Sequence, residues 1–122
     1  MLREIQERRL LIILDNCEQV IDVHRNKLRA GCLLGNFSAE LANQCPLIRA
    51  RLAALLSDWT RDIESAISEA QRTAAISTNA HPGRLAIFLL DSYEGAILRA
   101  RVESSRRAFD AFMRVAFTQI LV

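Results

Sequence analysis

Pro82-Gly83-Arg84-Leu85-Ala86-Ile87-Phe88-Leu89-Leu90-Asp91-Ser92-Tyr93-Glu94-Gly95-Ala96-Ile97-Leu98-Arg99-Ala100-Arg101-Val102-Glu103 decides how this chain folds. Projected at about 100° per residue, the stretch reads as a helix with two apolar faces. One face carries Leu85, Leu89, Leu90, Tyr93, Ala96, Ile97 and Ala100, the pattern of a core-facing stripe. The other carries Ile87, Phe88, Gly95, Leu98 and Val102. Narrow polar strips, Glu94 with Arg101 and Ser92 with Arg99, separate them. A helix apolar on two sides is covered on two sides, because large exposed apolar patches are rare on soluble monomers. Asp91 falls in the middle of the outer face, where a carboxylate needs an arginine partner or a place at the edge of an interface.

The segment that follows says the same. Over residues 105–121, Ala108, Phe109, Phe112, Met113, Ala116, Phe117, Ile120 and Leu121 cover more than the usual stripe of about 100°. Arg106, Arg107, Asp110, Arg114 and Thr118 occupy the remainder. Ser104 and Ser105 mark the break between the two helices, and either suits a capping position. Two such helices per chain are expected to pair with those of a second copy as an intermolecular four-helix bundle. The expected interface holds Ile87, Phe88, Gly95, Leu98, Val102, Phe109, Phe112 and Met113, with Gly95 allowing close approach.

Upstream, the clearest helix runs over about 46–74. Ile48, Leu52, Leu55, Leu56, Trp59, Ile63, Ala66, Ile67 and Ala70 form one apolar stripe, and Pro46 suits its first turn. Before it, Leu10, Ile13, Leu14, Cys17, Val20, Ile21, His24 and Leu28 recur at helical spacing over about 2–28, and Gly31 ends the pattern. A short helix is expected at about 32–43, with Leu33, Leu34, Phe37, Leu41 and Ala42 apolar. Residues 77–83 (Ser-Thr-Asn-Ala-His-Pro-Gly) form the one clear loop, with His81 a solvated residue before Pro82. Four or five helices and no strand pattern make the chain an all-α helical bundle, a single domain over 1–122.

Composition sets the bounds. The chain has 122 residues, 51% of them apolar, with 4 Gly and 2 Pro, enough for one buried core. Net charge is +2 with mixed signs, too weak for a basic nucleic-acid stripe. Arginine outnumbers lysine 15 to 1, which reads as the codon bias of a GC-rich genome. The odd number of cysteines, Cys17, Cys32 and Cys45, without C-x-x-C spacing fits reduced thiols in a cytosol. No apolar run is long enough for a membrane helix, and the N-terminus does not read as a signal peptide. A cytoplasmic protein is expected.

Order and motif together resemble a known family. Gly31-Cys32-Leu33-Leu34-Gly35-Asn36-Phe37-Ser38-Ala39-Glu40-Leu41 resembles the segment opening a short helix in the C-terminal domain of many TetR/AcrR-family regulators. Pro46-Leu47-Ile48-Arg49-Ala50-Arg51-Leu52 resembles the start of that family's long helix. Residues Phe88–Arg101, with the step Glu94-Gly95-Ala96, resemble its dimerisation helix. The likeness runs from about residue 18 to the end. It implies a bacterial transcriptional regulator's effector-binding and dimerising domain: a homodimer that binds an unknown small molecule. It reaches DNA only through an N-terminal helix-turn-helix domain, which this sequence does not contain. The effector sets the spacing of the two DNA-reading helices, one helical turn of DNA apart.

Expected effector contacts come from two sources. Trp59 and Tyr93 are large donors on otherwise apolar faces. Asn36 and Phe37 resemble the segment that walls the family's pocket, and Cys32, also expected at the ligand site, opens that short helix, where N–H groups favour a thiolate suited to redox or electrophile sensing. His24 is expected on an apolar helix face with its ring nitrogen satisfied by a neighbour. Neither histidine has a metal-ligand partner at workable spacing, so no metal or cofactor is expected. No catalytic constellation is evident, and the chain does not read as an enzyme.

Two other readings remain. One is a stand-alone helical protein–protein interaction module without a ligand. The other is a fragment of a signal-transduction ATPase, because Arg9-Leu10-Leu11-Ile12-Ile13-Leu14-Asp15-Asn16-Cys17-Glu18 resembles a Walker B strand. Such a site needs a phosphate-cradling G-x-x-x-x-G-K-[ST] loop. None occurs, and Lys27 is the sole lysine.

Overall fold

The structure, a computed structural model, describes residues 8–10 and 43–122. Among these residues every regular element is helical: α1 spans Pro46–Arg72, α2 spans Pro82–Val102 and α3 spans Arg107–Val115, followed by a π-helical turn over Ala116–Ile120. Arg8–Leu10 are also helical. The rest of the helix expected over 2–28 and nearly all of that expected over 32–43 lie outside the described residues. So do Cys17, His24, Lys27 and most of the Walker-like run. Arg9 and Leu10, the two members of that run within reach, are in helix rather than strand.

α1 starts at Pro46, whose missing N–H costs nothing in the first turn. Its 27 residues make it roughly 40 Å long. Only its second half is fully buried: Trp59, Ile63, Ala66, Ile67 and Ala70 face the core. In the first half, Ile48, Leu52 and Leu56 are half-buried and Leu55 is exposed. The helix stops two residues before the expected end. Ala74 takes a left-handed φ of 56°, and the Ala75 N–H donates back to Ala70 O at 2.9 Å. This is the stop usually made by glycine.

The connection to α2 is held by side chains. Gln71 Nε2 donates to Thr78 O at 3.0 Å and to Ala80 O at 2.8 Å. The main-chain oxygen of Val122 accepts from the N–H groups of Ser77 and Thr78 and from the Ser77 hydroxyl, so this loop also grips the end of the chain. His81 is a cap rather than a merely solvated residue: its Nδ1 accepts the Gly83 N–H at 3.1 Å at the start of α2. Pro82 again sits in the first turn. Arg99 and Arg101 lie in the last turn, where positive charge complements the helix dipole.

α2 ends as α1 does, with Ser104 at φ 49°. The hydroxyl of Ser105, one residue before the N-cap Arg106 of α3, accepts the Arg107 N–H at 3.1 Å, while the cap position itself makes no side-chain bond. The last helix was expected to run regularly to residue 121. Instead the Leu121 N–H bonds to Ala116 O, five residues back, at 2.8 Å. The wider turn brings Ala116, Phe117 and Leu121 inward together.

One core joins these elements. Trp59, Ile63, Ala66, Ile67 and Ala70 of α1 meet Ala86, Leu89, Leu90, Tyr93 and Ala96 of α2, and Phe112, Ala116, Phe117 and Leu121 close the far side. Leu10 is buried in the same cluster, and Arg9 pairs with Glu69 on α1.

Candidate functional site

Two features carry functional interest: an aromatic cluster inside the core and an apolar face outside it. In the cluster, Tyr93 is the hub. Trp59 meets it edge-on at 6.5 Å between centroids, Phe109 at 6.3 Å and Phe112 at 5.8 Å. Such T-shaped contacts set the positive ring edge against a negative ring face. The structure therefore brings Trp59 and Tyr93 together inside the core. Both are almost completely buried, at 2% and 1% exposure. The other three expected contacts, Cys32, Asn36 and Phe37, lie outside the described residues.

The outer face of α2 is open. Ile87, Phe88 and Leu98 are 53–54% exposed and Val102 is 80% exposed. Gly95 is exposed among them, and a Cβ built there meets nothing within 4 Å. Glycine in a helix interior is unfavourable by about 1 kcal/mol relative to alanine. Packing among the described residues does not explain its presence here.

Beside this face a groove of about 390 Å³ runs between α2 and α3. Its floor is made of small residues, Gly95, Ala96, Ala108, Ala111 and Ala116. Phe88, Phe112, Val115 and Ile120 supply larger apolar walls, and Ser92 and Arg99 supply the polar groups. Neither Trp59 nor Tyr93 lines it. The groove is a shape that receives apolar side chains. Nothing in its lining suggests bond-making chemistry.

The expected interface residues divide between the two features. Ile87, Phe88, Gly95, Leu98 and Val102 share the open face of α2. Phe112 is buried, and Phe109 and Met113 pack partly buried against the core. From α3 the exposed large apolar residue is Val115, which the sequence reading did not single out. It falls on the edge of the stripe that Phe109, Phe112 and Met113 define, about 60° beyond Phe112, and that stripe packs against Tyr93 and the core. Asp91 is exposed on the outer face and makes no ion pair with the described residues.

Among the described residues no helix is long and apolar enough to cross a membrane. Comparison with known proteins places this chain in a family. Relatives include the HTH-type transcriptional repressor DhaR of Mycobacterium sp. (strain GP1), 38% identical over 91 residues, which is 75% of this chain and 46% of that protein. The transcriptional regulator AcuR of Cereibacter sphaeroides is 34% identical over 90 residues, 74% of this chain and 41% of the relative. The matched part thus spans under half the length of either relative. No solved structure matches at comparable significance. A family model described as the tetracyclin repressor-like C-terminal domain matches residues 7–116, nearly the whole chain, and the chain belongs to that family.

Proposed function

We propose that this chain is the effector-binding and dimerising domain of a TetR-like bacterial transcriptional regulator, acting in the cytoplasm as a homodimer. The observation that carries the reading is the open face of α2. Four large apolar side chains and a glycine stand exposed on one side of a helix whose other side is fully built into the core. Exposed apolar area of this kind marks an interaction site. A second copy presents the same face, so a two-fold pair covers both at once.

Within that dimer, effector binding acts by population shift. A small, partly apolar molecule favours one of two arrangements of the pair, and DNA-reading domains joined to it change their spacing accordingly. Trp59, Tyr93, Cys32, Asn36 and Phe37 are the proposed contacts. DNA is reached only through a helix-turn-helix domain, and no chemistry is catalysed.

Light scattering across a dilution series tests the dimer. A mass of two chains at micromolar concentration is expected, and a monomer throughout overturns the reading. A thermal-shift screen of small molecules tests effector binding. Ligand at a hundredfold excess over Kd adds about 2.7 kcal/mol of stability. A dimer that no compound stabilises favours the second reading, a helical interaction module without a ligand. Two observations support that alternative: the groove lies beside the open face, and Trp59 and Tyr93 are sealed in the core.

A further inference from the structure

The outer face of α2 is nearly self-complementary about one residue. Taking Gly95 as the centre and counting outward in both directions, Asp91 lies four residues before it and Arg99 four after. Phe88 lies seven before and Val102 seven after, while Ser92 and Leu98 stand three away on either side. At about 100° per residue all of these project within roughly 60° of Gly95. Phe88, Asp91, Gly95, Leu98, Arg99 and Val102 are all exposed, and Ser92 is half-buried.

A two-fold axis perpendicular to a helix pairs each position with its mirror count on the other copy. The acidic residue then meets the basic one, Phe88 meets Val102, and Leu98 lies over the small Ser92. We propose that a second copy of this chain seats antiparallel on α2 with the axis at Gly95, so that Asp91 pairs with the partner's Arg99 twice per dimer. The inference rests on the dimer proposed above and specifies its register.

Three observations carry it. Asp91 sits in an apolar face with no ion-pair partner among the described residues, and only an opposite charge from outside makes covering it favourable. Arg99 donates its Nε to Glu103 at 3.2 Å, which leaves its two terminal amino groups for another acceptor. Both ion-pair positions stand about 6 Å along the helix from Gly95. They lie on opposite sides of the seam's centre line, an offset that the length of an arginine side chain spans. At the axis itself, where the two backbones come closest, stands the residue with no side chain and open space above it. The register also discriminates between partners: a related chain with like charges at either position meets repulsion at the same seam.

Charge exchange tests the register. Asp91→Arg leaves two arginines facing each other at each pair position, and Arg99→Asp leaves two aspartates. Each variant alone is expected to dimerise about tenfold or more weakly than the parent, measured by sedimentation velocity. Mixed in equal amounts, the two variants regain the parent's affinity as a heterodimer, because both pairs are then complementary. The doubly substituted chain, Asp91→Arg with Arg99→Asp, regains it as a homodimer. Glu103→Gln, which weakens only contacts within the chain, those to Arg99 and to Arg107, leaves affinity unchanged, and circular dichroism confirms equal helix content in every variant. Single variants that dimerise like the parent, or a mixture no tighter than its components, overturn the register while the dimer stands. A monomeric parent overturns both.

Discussion

The ring of Tyr93 stands edge-on to that of Phe112, with centroids 5.8 Å apart and planes at 67°. This contact joins α2 to α3 on the side away from the open face. It is backed by Trp59 from α1, so three helices meet at one phenol ring. Phe112 is also a wall of the groove that α2 and α3 form between them.

Phe112→Ala removes that joint. Phenylalanine-to-alanine changes in cores cost about 3–5 kcal/mol. The chain has one tryptophan, Trp59, in contact with the same cluster, so its fluorescence reports the loss directly. Urea titration is expected to show a midpoint far below that of the parent. A midpoint shift worth under about 1 kcal/mol shows that α3 is not anchored through Phe112.

The start of α2 depends on an imidazole. His81 Nδ1 accepts the Gly83 N–H, one of the donors a helix start leaves without an intrahelical partner. His81→Ala is expected to cost about 1 kcal/mol, the usual value of a side-chain cap. His81→Asn or His81→Asp restores an acceptor at the same place and recovers most of it. Equal thermal midpoints for the alanine and asparagine variants argue that the bond contributes nothing.

Much of this architecture is legible in the residues themselves. The stripe from Trp59 to Ala70 is buried where its spacing puts it, as are Leu89, Leu90, Tyr93 and Ala96 of the inner stripe of α2, while Leu85, Ile97 and Ala100 are half-buried. The sequence pattern also separates Ile87, Phe88, Leu98 and Val102 as a second face, and the structure leaves them in the open. Three things were not legible. Ala74 occupies left-handed backbone where glycine is the usual signal, so no letter announces the end of α1, whereas Ser104 and Ser105 do mark the end of α2. The π turn at Ala116 puts the adjacent Ala116 and Phe117 both into the core, a packing matter that periodicity does not encode. An apolar stripe on a terminal helix does not say which of two covers it will receive. Phe112 receives Tyr93 of its own chain, while Val115 remains exposed.

The left-handed alanine can be improved upon. An L-residue in this region costs roughly 1–2 kcal/mol, a penalty that glycine does not carry. Glycine also gives back part of that gain through the freedom of the unfolded chain, typically about 0.4–1 kcal/mol. Ala74→Gly is therefore expected to raise stability by several tenths of a kcal/mol up to about 1 kcal/mol. Ser104→Gly should act in the same direction. Denaturant midpoints decide the point, and a clear loss of stability at either position shows that its backbone is not left-handed.

Gly95 calls for the opposite substitution, and its result separates the isolated chain from the pair. Within one chain, Gly95→Ala meets nothing, because the space above the residue is empty to 4 Å. Helix propensity alone then predicts a gain of about 0.5–1 kcal/mol in the folded monomer. In an antiparallel pair the same methyl group stands between two backbones at their closest approach, twice per dimer, and overpacking of that kind costs about 1–3 kcal/mol. Measured at a concentration where the parent is dimeric, the variant should unfold earlier. Measured at high dilution, where both are monomers, it should unfold later. Such a crossing of stabilities with concentration is not expected for a monomeric protein. If Gly95→Ala is stabilising at every concentration, the two α2 helices do not meet at this residue.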